Sequence, residues 1–153
     1  MNPPKEPDNF DFPLTGSNLP RVETSLRSRF IGDSVPVERL SPASLAYLGD
    51  AVYELYIRTH YLLPPKRLST YHQKVVTQVR AETQANQLRS LIPYLTKFEL
   101  EIVRRGRNAS SKSPRRLSPD IYQQATALET LIGYLYISDP QRLNELLAKL
   151  VIN

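Results

Sequence analysis

The 153-residue sequence has no cysteine, only five glycines and no long apolar run. Without cysteine the chain has no disulfide, no thiolate metal ligand and no cysteine nucleophile, and a reducing compartment suits it. No apolar segment approaches the roughly 18 residues that cross a bilayer, and the N-terminus lacks the basic start and apolar stretch of a secretory signal. A Gly-rich phosphate loop, a nucleophilic Ser–His pair and a dinucleotide fingerprint are also missing. We therefore expect a cytoplasmic protein with no membrane partner.

Signals for β-strands are nearly absent as well, because the sequence shows neither sustained apolar–polar alternation nor a hairpin dipeptide. Helix starts, in contrast, are clearly marked. Ser41-Pro42 and Ser118-Pro119 each place an N-cap before a proline at the first helical position, and Thr96 begins a capping box with Glu99. The predicted class is all-α, with helices over about residues 42–61, 69–91, 97–105, 119–137 and 140–151.

Residues 1–36 differ in composition from the rest of the chain. They hold six of the thirteen prolines and show little periodicity, which predicts a flexible proline-rich arm with room for a short helix at residues 24–30. Residues 37–153 form the predicted folded domain. Of the net charge of +5, the arm contributes −1 and the domain +6. A basic domain suits a polyanionic partner, although many proteins with other functions have a similar charge.

Asp50 is the first residue that points to chemistry. It lies in the apolar stretch LAYLGDAVYELYI, where an ionised carboxylate is costly unless something pairs with it. A simple alternative is a solvated helix face with an ion pair between Glu54 and Arg58. The helical neighbours of Asp50 are small, however, and small residues let a second backbone or an ion come close. The apolar stripe predicted to face the core consists of Leu45, Leu48, Val52 and Leu55, widened by Tyr47 and Ala51.

Glu129 raises the same question in a second apolar helix, YQQATALETLIGYLYI, where it shares a face with Tyr122, Thr126 and Gly133. A half-buried Glu bonded to Tyr or Arg would also explain it. If the two helices pack with Asp50 facing Glu129, the carboxylates repel, and a hard cation such as Mg²⁺ relieves that repulsion. Such an ion can activate water and neutralise a phosphoryl transition state. The pair therefore predicts a magnesium-dependent phosphodiester hydrolase.

A basic segment lies between these two helices. From Lys97 to Arg116 there are seven Lys or Arg against two Glu, and from Gly106 onward we predict a polar loop. Cations at a helix C-terminus are favourable through the helix dipole, which explains part of the run as a solvated helix end. The continuation SSKSPRR is too polar to belong to the core and is less well explained in this way, and Lys and Arg there would suit the phosphates of a nucleic acid, which they contact without reading its sequence. The candidate RNA-binding residues are Arg104, Arg105, Arg107, Asn108, Lys112, Arg115 and Arg116.

At these motifs the sequence resembles the ribonuclease III catalytic domain. It is closest to Mini-ribonuclease III, the bacterial form without a separate double-stranded-RNA-binding domain. The motif LAYLGDAV is similar to the family's signature helix, RRGRNASS to its basic loop and TALETLIGYL to its second acidic helix, and the resemblance covers about residues 40–150. Ala43, Ala46 and Thr126 stand where the full-length enzymes carry further acids.

The resemblance implies a ribonuclease III-like helical bundle and a Mg²⁺-dependent endoribonuclease that cleaves double-stranded RNA and leaves 5′-phosphates. Asp50 and Glu129 match the family's metal-associated catalytic acids. The resemblance also implies a homodimer with the signature helix at its interface. It further implies precursor large-subunit (23S) ribosomal RNA as substrate, with a ribosomal protein assisting.

Several residues remain secondary candidates near the site: Glu54, Gln84, Tyr122 and Thr126. Gln84 belongs to VRAETQA, which resembles a subfamily motif and suggests a local hydrogen-bonding role. His60 and His72 are too far apart for a local metal pair and are interpreted as structural. Two alternatives to the enzyme stay open. One is a catalytically weak double-stranded-RNA-binding ribosome-assembly factor, and the other is a helical scaffold for protein partners.

Overall fold

A computed structural model describes residues 36–110 and 113–153. The predicted arm up to residue 35, its short helix and Lys112 lie outside the described residues. Within them the fold is all-helical, which confirms the predicted class, and no helix is both long and apolar enough to cross a membrane. Short 3₁₀ turns occupy Val37–Arg39 and Ile92–Tyr94, and the α-helices are α1 (Pro42–Tyr61), α2 (Leu68–Val79), α3 (Ala81–Leu91), α4 (Lys97–Ala109), α5 (Pro119–Ser138) and α6 (Pro140–Leu147).

The caps visible in the sequence form as expected. The hydroxyl of Ser41 accepts the Ser44 N–H at 3.1 Å, and Ser118 accepts the Ile121 N–H at 3.2 Å. The capping box of α4 is complete, since Thr96 and Glu99 each accept the other's backbone N–H. Each cap satisfies a donor that the first helical turn leaves free. These starts were therefore predictable from local sequence alone.

The single helix predicted over residues 69–91 is wrong, because the chain breaks at Arg80 into α2 and α3 (φ −68°, ψ 154°). The break frees the carbonyls of Thr77 and Gln78 from their helical partners. The Thr83 hydroxyl donates to the first at 2.7 Å, and the Tyr53 hydroxyl of α1 donates to the second at 3.1 Å. Because Tyr53 is far away in sequence, no local signal announces the break.

Two other predicted boundaries also need correction. Helix α4 continues to Ala109, so Gly106 lies inside the helix and does not begin the polar loop. A Cβ at Gly106 would meet the Thr130 hydroxyl at 2.5 Å, which means that close packing on α5 requires this glycine. The last helix, α6, ends at Leu147, short of the predicted 151.

Helix α5 forms the centre of the domain and packs against α1, α3 and α4. Its crossing with α1 is unusually close. A Cβ at Gly49 would lie 1.7 Å from the carbonyl oxygen of Glu129, and a Cβ at Gly133 would lie 2.0 Å from that of Leu45. The backbones of α1 and α5 are therefore in direct contact at this crossing. This contact fixes the relative positions of the Asp50 and Glu129 side chains.

The α1 stripe predicted to face the core is wrong in part. Leu45 is buried, but Leu48 and Val52 are only half-buried, Leu55 is 53% exposed and Tyr47 is 86% exposed. Because α1 is apolar all round, its periodicity does not select one face. The close glycine crossing selects it instead, and the buried residues of α1 are Leu45, Ala46, Gly49, Tyr53, Ile57 and Tyr61.

Candidate active site

Asp50 and Glu129 meet where α1 crosses α5. Asp50 directly follows Gly49, which lies against the backbone of Glu129, so the two carboxyl groups lie on the same side of the crossing. The protonated Glu129 carboxyl donates a hydrogen bond to the Asp50 carboxylate. The two acids, 79 positions apart in sequence, thus form one pair in the fold.

The pair lines a cleft of about 250 Å³ between α1, the end of α4 and α5. Tyr122 and Thr126 of α5 contribute hydroxyl groups to its wall, and Ser110 contributes another directly after α4. Ala43 and Ala46, two turns and one turn before Asp50, leave the volume open. The structure therefore brings Tyr122 and Thr126 together with the acids, as their spacing from Glu129 suggests.

Two lining residues with hydroxyl groups, Tyr47 and Ser110, were not among the sequence candidates. Tyr47 precedes Asp50 by three positions and so shares its helix face, a signal that helical spacing could have revealed. Ser110 could not have been found in this way, because its place in the cleft depends on α4 continuing past Gly106.

Burial and mutual repulsion keep the two acids from ionising together. Burial, with a contribution from the charge of Asp50, raises the pKa of Glu129 to about 7. Burial and the charge of Glu54 also raise the pKa of Asp50 above its ordinary value. At neutral pH the pair therefore shares a proton in the absence of a cation.

This arrangement fits a hard divalent cation. The donors are two carboxylates surrounded by hydroxyl groups, with no sulfur and no imidazole among the described residues that line the cleft, and Mg²⁺ prefers oxygen ligands and keeps several waters. The part of the chain described here holds no cluster of three or more His, Asp or Glu suited to a metal. Asp50 and Glu129 are thus the side chains that would hold the ion, with water completing its coordination.

Glu54 and Gln84 have different surroundings. The Glu54 carboxylate forms an ion pair with Arg58 at 3.4 Å on the surface of α1 and does not line the cleft. Gln84 of α3 is fully buried. Its side-chain amide lowers the pKa of the Glu129 carboxyl, against the larger effect of burial. Neither His60 nor His72 lines the cleft, and His60 stacks edge-on against Tyr61.

The basic residues follow α4 and the segment after it. Arg104 and Arg105 pair with Glu101 at 2.6 and 3.4 Å, and Arg107 pairs with Asp120 at 2.5 Å. Asn108 is exposed near the end of α4. Ala109 and Ser110 line the cleft, so the C-terminal end of α4 lies at the cleft rim.

Arg115 and Arg116 differ from the basic residues of α4. Both are exposed, and neither forms an ion pair with any residue in 36–110 or 113–153. Their guanidinium groups therefore remain available to an anionic partner.

The chain is similar to known proteins over most of its length. Residues 43–140 match the family model described as the ribonuclease III domain. The Mini-ribonuclease 3 of Synechocystis is 58% identical over 116 residues, which cover 76% of this chain and 81% of that protein. The Mini-ribonuclease 3 of Clostridium tetani is 38% identical over 135 residues, which cover 84% and 89%.

A solved structure has the same fold. The crystal structure of a Fusobacterium nucleatum protein matches with a TM-score of 0.69 at 31% identity, over 75% of this chain and 95% of that one. The region that matches the family model includes both acids, the basic run and the α1–α5 crossing. The chain therefore belongs to the ribonuclease III family and groups with the Mini-ribonuclease 3 endoribonucleases within it.

Proposed function

We propose that this protein is a Mg²⁺-dependent endoribonuclease that cleaves double-stranded RNA and leaves 5′-phosphate products. The observation that carries the proposal is the convergence of Asp50 and Glu129 on one open cleft. Two neighbouring carboxyl groups that resist ionising together are suited to a divalent cation, which favours the charged form of both. Membership of the ribonuclease III family supports RNA as the substrate of such a site.

Each group in the cleft has a defined task in this proposal. Asp50 and Glu129 hold Mg²⁺, which supplies charge neutralisation and an acidified water for phosphodiester hydrolysis. Thr126 and Tyr122 present hydroxyl groups from α5, one and two turns before Glu129, where they can hydrogen-bond water or an RNA oxygen. The small side chains of Ala43 and Ala46 leave the space in which a phosphate group can approach.

The basic segment at the rim is proposed to bind the RNA backbone. Arg115 and Arg116 are the strongest candidates, because their charges are not paired within the described fold. Arg104, Arg105 and Arg107 are engaged by acids on the surface, and exposed ion pairs of this kind are weak enough to exchange for phosphate. A-form RNA hides its base edges in a narrow groove, so recognition of the duplex relies on phosphates and 2′-hydroxyls.

We further propose that the enzyme is a homodimer assembled through α1. Tyr47, Ala51, Leu55 and Leu62 form an exposed apolar stripe along this helix and its C-cap, and Tyr47 also lines the cleft. An exposed apolar stripe of this kind marks an interaction surface. A second copy is the proposed occupant, because cutting both strands of a duplex requires two catalytic clefts and this stripe adjoins one of them.

The natural substrate we propose is precursor large-subunit (23S) ribosomal RNA, cut in the cytoplasm with a large-subunit ribosomal protein as helper. This part of the proposal rests on the family resemblance. It predicts that, in cells that lack the protein, the 5′ ends mapped on this ribosomal RNA shift outward to longer precursor forms, because the cut is not made. Unchanged ends would leave double-stranded RNA as the substrate class and would exclude this particular precursor.

The decisive experiment compares cleavage of a long RNA duplex by the wild type, Asp50→Asn and Glu129→Gln, with Mg²⁺ and with a chelator. We expect Mg²⁺-dependent cutting by the wild type alone. Each variant should lose activity by roughly 10²–10⁴-fold, because it removes one anionic ligand. Glu54→Gln is the matched control, since this carboxylate lies one turn from Asp50 outside the cleft, and it should retain most activity.

The same experiment tests the two alternatives. Retention of the duplex without cutting under all metal conditions would favour an RNA-binding assembly factor. Absence of both cutting and salt-dependent duplex binding would favour a scaffold for protein partners. A single-stranded RNA of the same sequence serves as the substrate control.

A further inference from the structure

Gln84 is an unusual polar residue in the interior of this domain. Its side chain is 1% exposed and lies on α3 among the completely buried residues, next to Ala85. A buried primary amide costs about 1–3 kcal/mol when its hydrogen-bonding groups have no partner. Almost every such group in a folded protein is therefore hydrogen-bonded.

The amide nitrogen of Gln84 departs from this rule. Nε2 is buried and makes no hydrogen bond of acceptable geometry with any of the described residues. Gln87, on the same helix and 5% exposed, shows the usual arrangement. Its amide donates to the Val151 carbonyl at 2.7 Å and accepts the Val151 N–H at 3.3 Å. The fold thus buries the N–H donor of the Gln84 amide without giving it a hydrogen bond of normal geometry.

The side-chain amide of Gln84 affects the carboxyl group of Glu129. Helix α3 packs against α5, and the Gln84 amide favours the charged form of Glu129, lowering its pKa against the burial that raises it. Gln84 is buried and does not line the cleft, whereas Asp50 and Glu129 both line it. A carboxylate at this place can turn one oxygen to Gln84 and keep the second for the cleft.

We propose that Gln84 is a positioning residue whose side-chain amide donates a hydrogen bond to the ionised Glu129 carboxylate and aims its free oxygen at the bound cation. The inference rests on the proposed function, since it assigns a partner to one of the proposed metal ligands. Outer groups that orient a metal ligand are typically worth about 10–100-fold in metal affinity. In the metal-free protein this amide makes no hydrogen bond of acceptable geometry that would offset its burial, so it adds little to stability there.

This role gives different effects on stability and on metal binding, which a packing role does not. We expect the isosteric change Gln84→Met to leave the metal-free melting temperature unchanged or raised. The same variant should bind Mn²⁺, measured by calorimetry on RNA-free protein, roughly 10–100-fold more weakly. Gln84→Asn, which keeps the amide but withdraws it by one methylene, should weaken metal binding similarly.

Gln87→Met is the matched control, because it removes a satisfied amide from the same helix. It should lower the melting temperature and leave Mn²⁺ affinity at the wild-type value. Wild-type Mn²⁺ affinity in both Gln84 variants would overturn the inference. Absence of Mn²⁺ binding by the wild type would instead overturn the proposed metal site, so the two failures are distinguishable. In steady-state cleavage, Gln84→Met should lower kcat with little change in KM, since the amide is buried and does not line the cleft.

Discussion

The carbonyl oxygen of Glu129 occupies the space that a Cβ at Gly49 would need, at a separation of only 1.7 Å. This close approach joins α1 and α5 at the pair of acids itself, because Gly49 directly precedes Asp50 and its neighbour across the crossing is Glu129. The backbone crossing therefore sets the distance between the acids. Packing and chemistry in this domain depend on the same absent methyl group.

We predict that Gly49→Ala destabilises the fold by about 3 kcal/mol. Alanine is intrinsically better than glycine in a helix by about 1 kcal/mol, but overpacking against backbone that cannot rotate away costs about 1–3 kcal/mol or more. The clash should win, because backbone must shift to relieve it. Denaturant unfolding of metal-free protein measures the change, and Thr59→Ala on the exposed side of α1 should stay within about 0.5 kcal/mol. An unchanged Gly49→Ala midpoint would contradict the close crossing.

The raised pKa of Glu129 predicts an unusual pH dependence of stability. The unfolded carboxyl titrates near 4.5 and the folded one near 7, so the folded state binds more protons between these values. Stability of the metal-free protein should therefore fall as pH rises from about 4.5 to about 7, by about 1–3 kcal/mol. The raised pKa of Asp50 acts in the same direction.

Melting temperatures in a chelating buffer from pH 4.5 to 8 test this slope. Glu129→Gln should flatten it and should be more stable than the wild type at pH 8, because it removes the buried charge. Mg²⁺ at pH 8 should stabilise the wild type and leave this variant almost unchanged. An exposed change on α3, Glu82→Gln, serves as control and should keep the wild-type slope. A wild-type stability that rises through this range would refute the pairing of the two acids.

The extent to which sequence predicted this structure depends on whether the signal was local. The caps at Ser41, Thr96 and Ser118 are local, and the helices they begin start where the sequence predicts. The break at Arg80 depends on a hydroxyl from another helix, so the sequence around it gave no warning. Gly106 looked like the start of a loop because a helix glycine is usually disfavoured, while Thr130 requires it for packing.

The candidate site followed the same division. Asp50 and Glu129 were identified because each is a charge in an apolar helix, and the structure brings them together. The face of α1 was assigned wrongly, because a helix that is apolar all round has no periodic signal. Tyr47 and Leu55 are exposed because the face of α1 that contains Gly49 packs against α5.

The unpaired side chains of Arg115 and Arg116 lead to a prediction about RNA affinity. With cleavage blocked by Asp50→Asn, duplex binding should weaken steeply with salt, because phosphate contacts release counterions. Arg115→Ala and Arg116→Ala should each weaken binding to all duplexes alike and reduce the logarithmic salt slope by about one. Arg58→Ala, on α1 and paired with Glu54, is the control that should keep the slope. Equal salt slopes of duplex affinity for all four proteins would exclude Arg115 and Arg116 from the RNA interface.

The exposed stripe of α1 predicts the oligomeric state and links it to activity. Wild-type protein should sediment with the mass of two chains, and Leu55→Lys should sediment as one, because it places an unpaired charge in an apolar contact. Leu55 is 53% exposed in the single chain, so the lysine costs the isolated fold little and circular dichroism should stay helical. Val76→Lys makes the same kind of change at an exposed apolar residue of α2 and should leave the dimer intact.

Coordinated cutting of both strands should disappear with the dimer, since one chain supplies one cleft. A Leu55→Lys protein that remains a dimer would place the interface elsewhere, and a monomeric one that still cuts both strands together would separate assembly from catalysis.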